Sequence, residues 1–301
     1  MDRRTFVKAG LTASAALALR KYAQALPIPP SPTQFDLVAV KGGEPDLMFD
    51  RGIASLGGMK AFVKKGQTVV VKPNIGWDVS PERAGNTHPR LVARIIEHCF
   101  DAGASKVYVF DHTCDRWQRC YKNSGIETAA KDAHANVVSG DSEGYYHDVS
   151  IPKGQALKSA KEHELILESD VFINVPVLKV HDGARVTASM KNLMGIVWDR
   201  GQWHRTDLHQ CIADYATYRK PTLNVLDAYN IMKRNGPRGV SVDDVQTIKT
   251  QLLSTDMVAI DTAGTRLLGL DPKDVRHIQL AAEMQVGRMD LDKLNIKRIS
   301  L

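Results

Sequence analysis

The residues best suited to chemistry stand where this sequence turns from apolar to polar. Lys72 and Asn74 close the run Thr68-Val69-Val70-Val71-Lys72-Pro73-Asn74, and Asp111 and His112 close Val107-Tyr108-Val109-Phe110. Lys179 and His181 end the stretch that begins at Asp170, and Lys191 and Asn192 follow at once in Ala188-Ser189-Met190-Lys191-Asn192-Leu193-Met194-Gly195. Lysines at such ends supply positive charge, asparagines supply neutral donors and Asp111 supplies a carboxylate. If the strands are neighbours, Lys72, Asn74, Asp111, Lys179, Lys191 and Asn192 form a ligand-binding set for an anionic small molecule, a phosphate or a carboxylate. Thr187 is placed to cap a short helix from Ala188 to Leu193 with Gly195 as its stop, which would turn free amides toward Lys179. The competing arrangement is a structural network in which the lysines pair with buried Asp111 and Asp227.

Histidines add a second kind of chemistry. His181 and His204 are the candidate catalytic residues, because imidazole moves protons near neutral pH. His181, His204 and His209, with Asp199 and Asp207 nearby, also have the ligand types of a divalent metal site, although His204 and His209 are five apart and would not share a helical face. A divalent metal is therefore a candidate cofactor, but the cofactor is not identified by spacing. His88, just before Pro89, reads as a helix-start residue. Trp198 and Trp203 either fill a gap against the core or wall a planar ligand. Asn235-Gly236-Pro237-Arg238-Gly239 is a turn whose amides could form an anion nest or serve as a plain connection.

The elements that must position these groups follow from periodicity. Runs rich in Val and Ile suit strands covered on both faces, and ligands of such sheets gather at the carboxyl ends of the strands. A strand is expected over Phe35 to Val40, a helix over Pro45 to Leu56, and a strand over Thr68 to Asn74. After a long polar loop, Ile75 to Thr87, a helix opens at Pro89 with Leu91, Val92, Ile95, Ile96, Cys99 and Phe100 on one face. The return strand Val107 to Phe110 completes a parallel crossover. Cys114 to Lys131 reads as a helix, Asn136 to Val138 as a short strand and Tyr145 to Ile151 as an edge strand. One strand is expected to run from Asp170 to Lys179. Later come a helix Leu208 to Tyr218, strands Thr222 to Leu226 and Gln246 to Leu253, a helix capped by Thr255 or Asp256, a last helix opened by Pro272, and an edge strand within Leu291 to Ile299. The fold class is α/β: three layers, a mostly parallel sheet with helices on both faces.

The 301 residues contain 43% hydrophobic side chains, enough for a full core. Asp2-Arg3-Arg4-Thr5-Phe6-Val7-Lys8, a weakly apolar stretch and Ala23-Gln24-Ala25 resemble a twin-arginine export signal. The expected organisation is a signal peptide over 1–25, a Pro-rich linker over 26–34 and a single α/β domain over 35–301. The resemblance implies the twin-arginine translocase as partner and a periplasmic or otherwise exported destination. Residues 1–25 hold Arg3, Arg4, Lys8, Arg20 and Lys21 against Asp2, so +4 of the formal +6 belongs to them and +2 to the rest. A nearly neutral remainder argues against nucleic acid as a partner, and no apolar run outside the N-terminus is long enough for a transmembrane helix. Cys99 and Cys211 fall in helical patterns. Cys114 and Cys120 share a polar segment and are the better candidates for a disulfide or redox pair. No local iron–sulfur motif of closely spaced cysteines is present.

The segments around Lys72, Lys179 and Lys191, together with Asn235-Gly236-Pro237 and Asp256-Met257-Val258-Ala259-Ile260-Asp261, resemble the family called domain of unknown function 362, from about Val38 to Gly287. The resemblance implies that these blocks share one fold. It implies no reaction and no ligand. The functional expectation is an exported enzyme acting on an anionic small molecule at the strand ends. The alternatives are a non-catalytic ligand-binding or cofactor-carrying protein, and a redox protein using Cys114 and Cys120.

Overall fold

The computed structural model describes residues 34–301. The twin-arginine segment and nearly all of the linker lie outside the described residues. Twelve strands are described: β1 (Leu37–Lys41), β2 (Thr68–Pro73), β3 (Lys106–Val109), β4 (Asn136–Val137), β5 (Tyr146–Ser150), β6 (Ser159–His163), β7 (Val171–Val175), β8 (Val177–His181), β9 (Arg185–Thr187), β10 (Leu223–Met232), β11 (Val245–Ser254) and β12 (Ile296–Ser300). Ten of them make one sheet, with β12-β1-β11-β10-β7-β2-β3-β4 as its path and β8 and β9 attached beside β10. Within it β11 and β9 run against their neighbours, while β10, β7, β2, β3 and β4 pair in parallel.

Alternation along the strands divides the apolar interior into two cores. Val69, Val71, Val171 and Ile173 face the helices Pro45–Ser55, Pro89–Asp101, Trp117–Asn123 and Ile126–Asp132. Val70 and Phe172 face the opposite side, where Leu208–Tyr218, Met257–Leu267 and Arg276–Glu283 pack. This is the mostly parallel, helix-covered sheet that the sequence predicts. Among the described residues no helix is long and apolar enough to cross a membrane.

Several local expectations need correction. Asp170 to Lys179 is not one strand. Pro176 lacks an N–H for the ladder, so the chain steps sideways: β7 pairs with Leu223 and Asn224, and β8 pairs with the later half of β10. The Pro176 carbonyl accepts from Asp227 N at 2.8 Å at the step. The Cys114 to Lys131 helix is two helices, Trp117–Asn123 and Ile126–Asp132, separated by Gly125 at φ +73°. Tyr145 to Ile151 supplies β5, but it joins a separate hairpin with β6. Pro272 opens only a short 3-10 turn, and the last helix begins at Arg276.

Candidate functional site

A cavity of about 290 Å³ opens toward the carboxyl ends of β2, β3 and β8, and Lys72, Asn74, Asp111, Lys179, His181, Lys191, Asn192 and His204 all line it. The sequence-predicted set is therefore brought together except for His209. His209 turns instead to His277, with their Nδ1 atoms 3.2 Å apart.

The floor of the cavity is an ordered polar network. Lys72, 1% exposed, ion-pairs with Asp111 Oδ1 at 2.9 Å. It also donates to Asn192 Oδ1 at 2.8 Å. Asp111 Oδ2 accepts from Ile75 N at 2.6 Å. Asn74 Nδ2 donates to the same Asn192 oxygen at 2.9 Å, and Asn192 Nδ2 donates to Asn174 Oδ1 at 2.8 Å. Asn174 in turn donates to Asn224 Oδ1 and to the Ser189 carbonyl, both at 3.0 Å. An amide chain thus runs beneath the site from β2 across β7 to β10. Each member satisfies the next, which is the condition for a buried polar network to hold one geometry. A Cβ on Gly195 would stand 1.9 Å from Asp111 Oδ1 and 2.6 Å from Lys72 Nζ, so the Lys72–Asp111 pair requires glycine there.

The other cations are differently placed. Lys179, also 1% exposed, donates to the Gly85 carbonyl at 2.5 Å and to Asn74 Oδ1 at 3.2 Å. Lys191 lies 3.3 Å from Met194 Sδ, its one hydrogen-bond partner among the described residues. Arg200 directs both terminal nitrogens to the carbonyls of His112 and Thr113. Asp111 is the one carboxylate on the wall among the described residues, and Lys72 uses it. Burial, with lysine neighbours adding to it, pulls Lys179 down to about 7 and Lys191 down to about 8. Asp227 does not join; it takes the amides of His88 at 2.7 Å and Tyr229 at 3.0 Å. The structural-network expectation therefore holds for Lys72 with Asp111 and fails for Lys179 and Lys191.

The helix expected from Ala188 spans Ser189–Asn192, and Thr187 does not cap it. Asp261 occupies its amino end, taking Ser189 N at 2.6 Å and Met190 N at 3.0 Å. Those amides are not available to a ligand. In the loop that carries Pro237, the amides of Val240 and Ser241 answer to Asp244, and Gly239 N answers to the Asn235 carbonyl. That loop is a turn rather than a nest, and it contributes Pro237 to the cavity wall.

Residues 69–266 match the family model described as domain of unknown function (DUF362). The chain belongs to this family. Over 247 residues it is 26% identical to the Thylakoid-associated protein sll1697 of Synechocystis, an overlap of 77% of this chain and 72% of that one. Two solved structures are similar at lower identity. The lactate racemase apoprotein of Thermoanaerobacterium thermosaccharolyticum gives a TM-score of 0.47 at 12% identity, over 81% of this chain and 58% of the racemase. A Thermotoga maritima protein gives 0.45 at 8% identity, over 80% of this chain and 60% of its own. This DUF362 chain thus spans less than two thirds of either structure.

The hydrogen bonds of the imidazoles assign their tautomers. His181 Nδ1 accepts from the amides of Gly183 and Ala184, each at 3.1 Å, so its proton sits on Nε2. Burial and the nearby lysines hold it neutral, down to about 2. His112 Nδ1 lies 3.1 Å from the Val197 carbonyl and must carry the proton, leaving Nε2 as a free acceptor. His204 has no hydrogen bond among the described residues, and burial and Lys191 lower its pKa.

The histidine trio expected as a metal site is not assembled. Among the described residues no group of three or more His, Cys, Asp or Glu could hold a metal ion. The cysteine pair also fails as a redox device: Cys114 is exposed on the cavity wall, Cys120 is buried, and both are free thiols. Burial pushes Cys120 up to about 12, the reverse of an activated thiol. His88 caps the helix at Pro89, as its position predicts. Trp203 packs against Tyr215 and Trp198 stacks on His112, so both serve packing. Sequence reasoning missed Arg200 and Trp77 on the wall. Neither sits in a periodic run that would have marked it.

Proposed function

We propose that the strand-end cavity binds a small anionic molecule, a carboxylate or a phosphate, and that the protein acts on it as an enzyme by moving a proton. The observation that carries this reading is the surplus of cations: Lys179, Lys191 and Arg200 face a cavity whose one carboxylate is already paired with Lys72. An anion entering there gains charge-assisted hydrogen bonds in a site of low dielectric. Asn74, with one amide hydrogen left, orients it, and Asn192 fixes Asn74 through the amide chain. His181 offers an N–H donor that stays neutral, and so takes the role of a polarising group rather than a base. The proton acceptor is then His204 or His112, each with a free ring nitrogen.

Export through the twin-arginine pathway, with its translocase as partner, belongs to the same proposal and rests on Arg3 and Arg4 with the small-residue triplet that follows. Replacing both arginines by lysine is expected to leave the precursor in the cytoplasm. Native mass spectrometry of the protein purified from its source is expected to reveal a bound acidic ligand, which is then offered as substrate. Turnover that falls at least tenfold in His204→Asn or His112→Asn, with ligand affinity kept, supports the enzyme. Affinity without product in the unaltered protein means a binding protein instead.

A further inference from the structure

Among the cations of the cavity, Lys191 alone lacks an oxygen partner among the described residues. Lys72 has Asp111, Lys179 has the Gly85 carbonyl and Asn74, and Arg200 has the carbonyls of His112 and Thr113. A thioether is a weak acceptor, so Met194 Sδ at 3.3 Å neither neutralises Lys191 nor fixes it. The side chain is half-buried on the wall, open to whatever enters.

An ammonium so placed gives up its proton more readily than one in water. Burial brings Lys191 down to about 8; Arg200 and Lys72 push in the same direction, and Cys114 on the same wall pushes against them. A useful fraction is then free amine near neutral pH. An amine made neutral by burial and cationic neighbours is the kind that adds to carbonyl groups. His204 shares the cavity wall, has no hydrogen bond of its own among the described residues, and is a proton acceptor of the proposed reading, so the relay of the proton falls to it.

We propose that the Nζ of Lys191, whose ammonium with Lys179 and Arg200 first draws in the carboxylate of a small 2-oxo acid, condenses with that acid's carbonyl carbon to give a protonated imine. This rests on the anion-binding reading of the cavity and names its substrate class. The ammonium first gives a proton to His204, and the nitrogen lone pair then forms the C–N bond as the C=O π pair moves to oxygen. The carbinolamine oxygen gathers protons, one of them returned by His204, and leaves as water. Net, one ammonium and one ketone become one iminium and one water, with no change in oxidation state. The iminium keeps the positive charge where Lys191 stood and withdraws electrons from C3 of the bound acid, which prepares loss of a proton there. A cavity of about 290 Å³ suits a molecule of pyruvate size or somewhat larger.

The experiment uses the full chain with pyruvate and sodium cyanoborohydride, read by intact mass and peptide mapping. The expected result is one carboxyethyl group, on Lys191, formed at least tenfold faster than on any surface lysine. Lys191→Arg, which keeps the charge but cannot form an imine, should show none there. Binding of propionate, a carboxylate without the carbonyl, and of inorganic phosphate is measured alongside on both proteins. No adduct, or one on Lys179 or spread over the surface, while propionate still binds, overturns the imine and leaves anion binding standing. Absence of both propionate and phosphate binding overturns the anion reading with it.

Discussion

Lys72 and Lys191 line the same cavity, yet they are held by opposite means. Lys72 ends a central strand, is 1% exposed, and stands between Asp111 and Asn192 at 2.9 and 2.8 Å. Lys191 rides on a short helix and has only a sulfur beside it. The first is a compensated charge built into the floor; the second is an uncompensated charge kept at the wall. A folded protein retains the second kind at some cost to its stability, and a ligand that supplies the missing negative charge recovers that cost. On the proposed reading, the difference gives one lysine to the fold and the other to the ligand.

The strongest way to break this comparison is to exchange the two residues' fates. Lys72→Met strands Asp111 in the interior without a counterion and is expected to cost roughly 3–5 kcal/mol in urea unfolding. Lys191→Met should leave apo stability unchanged or slightly higher, while weakening anion binding by about 1.5–3 kcal/mol in calorimetric titration. Equal destabilisation by the two substitutions would abolish the distinction. Gly195→Ala tests the floor from its other side. The new methyl must force Asp111 and Lys72 apart, for about 1–3 kcal/mol of lost stability.

pH sharpens the comparison further. Lys191 titrates at about 8 in the folded chain against 10.5 for the free side chain. Between those values the unfolded chain binds the extra proton, so this group's contribution to stability rises with pH across that window, and its penalty is full below about 8. The advantage of Lys191→Met over the unaltered protein at pH 7 should therefore shrink to nothing by about pH 10.5. Asp261 gives an effect of the opposite slope. Burial raises it from 3.8 to about 7, so the folded chain holds a proton there that the unfolded chain has lost. Its contribution declines as pH rises from about 4 to about 7, and Asp261→Asn should remove that part of the thermal-stability profile.

How much of this could be read beforehand depends on how local the cause is. Lys72, Asp111 and Lys179 were legible because each ends an apolar run, and parallel strands under helices deliver such ends to one place. The helices Pro45–Ser55 and Leu208–Tyr218 were legible from their period. Asn174 and Asn224 were not, because a polar residue inside a buried strand has no meaning until its partner is known, and theirs are each other and Asn192. Asp261 is another long-range partner: it serves a helix more than seventy residues away in sequence. Thr187 looked like the cap because only neighbours can be weighed in a sequence. Pro176 signalled a break that the apolar residues on either side concealed. The tautomer of His181, which leaves its other ring nitrogen a donor, depends on two backbone amides that spacing does not reveal.

The account turns most directly on titration calorimetry of inorganic phosphate and of propionate against three proteins: the unaltered chain, Lys191→Met, and Lys122→Met as an exposed-lysine control. Saturable binding to the unaltered chain and to the control, weakened at least tenfold in a folded Lys191→Met protein, is the predicted result. Equal affinity in all three, with Lys191→Met markedly less stable than the control, would contradict it and make Lys191 a second structural lysine.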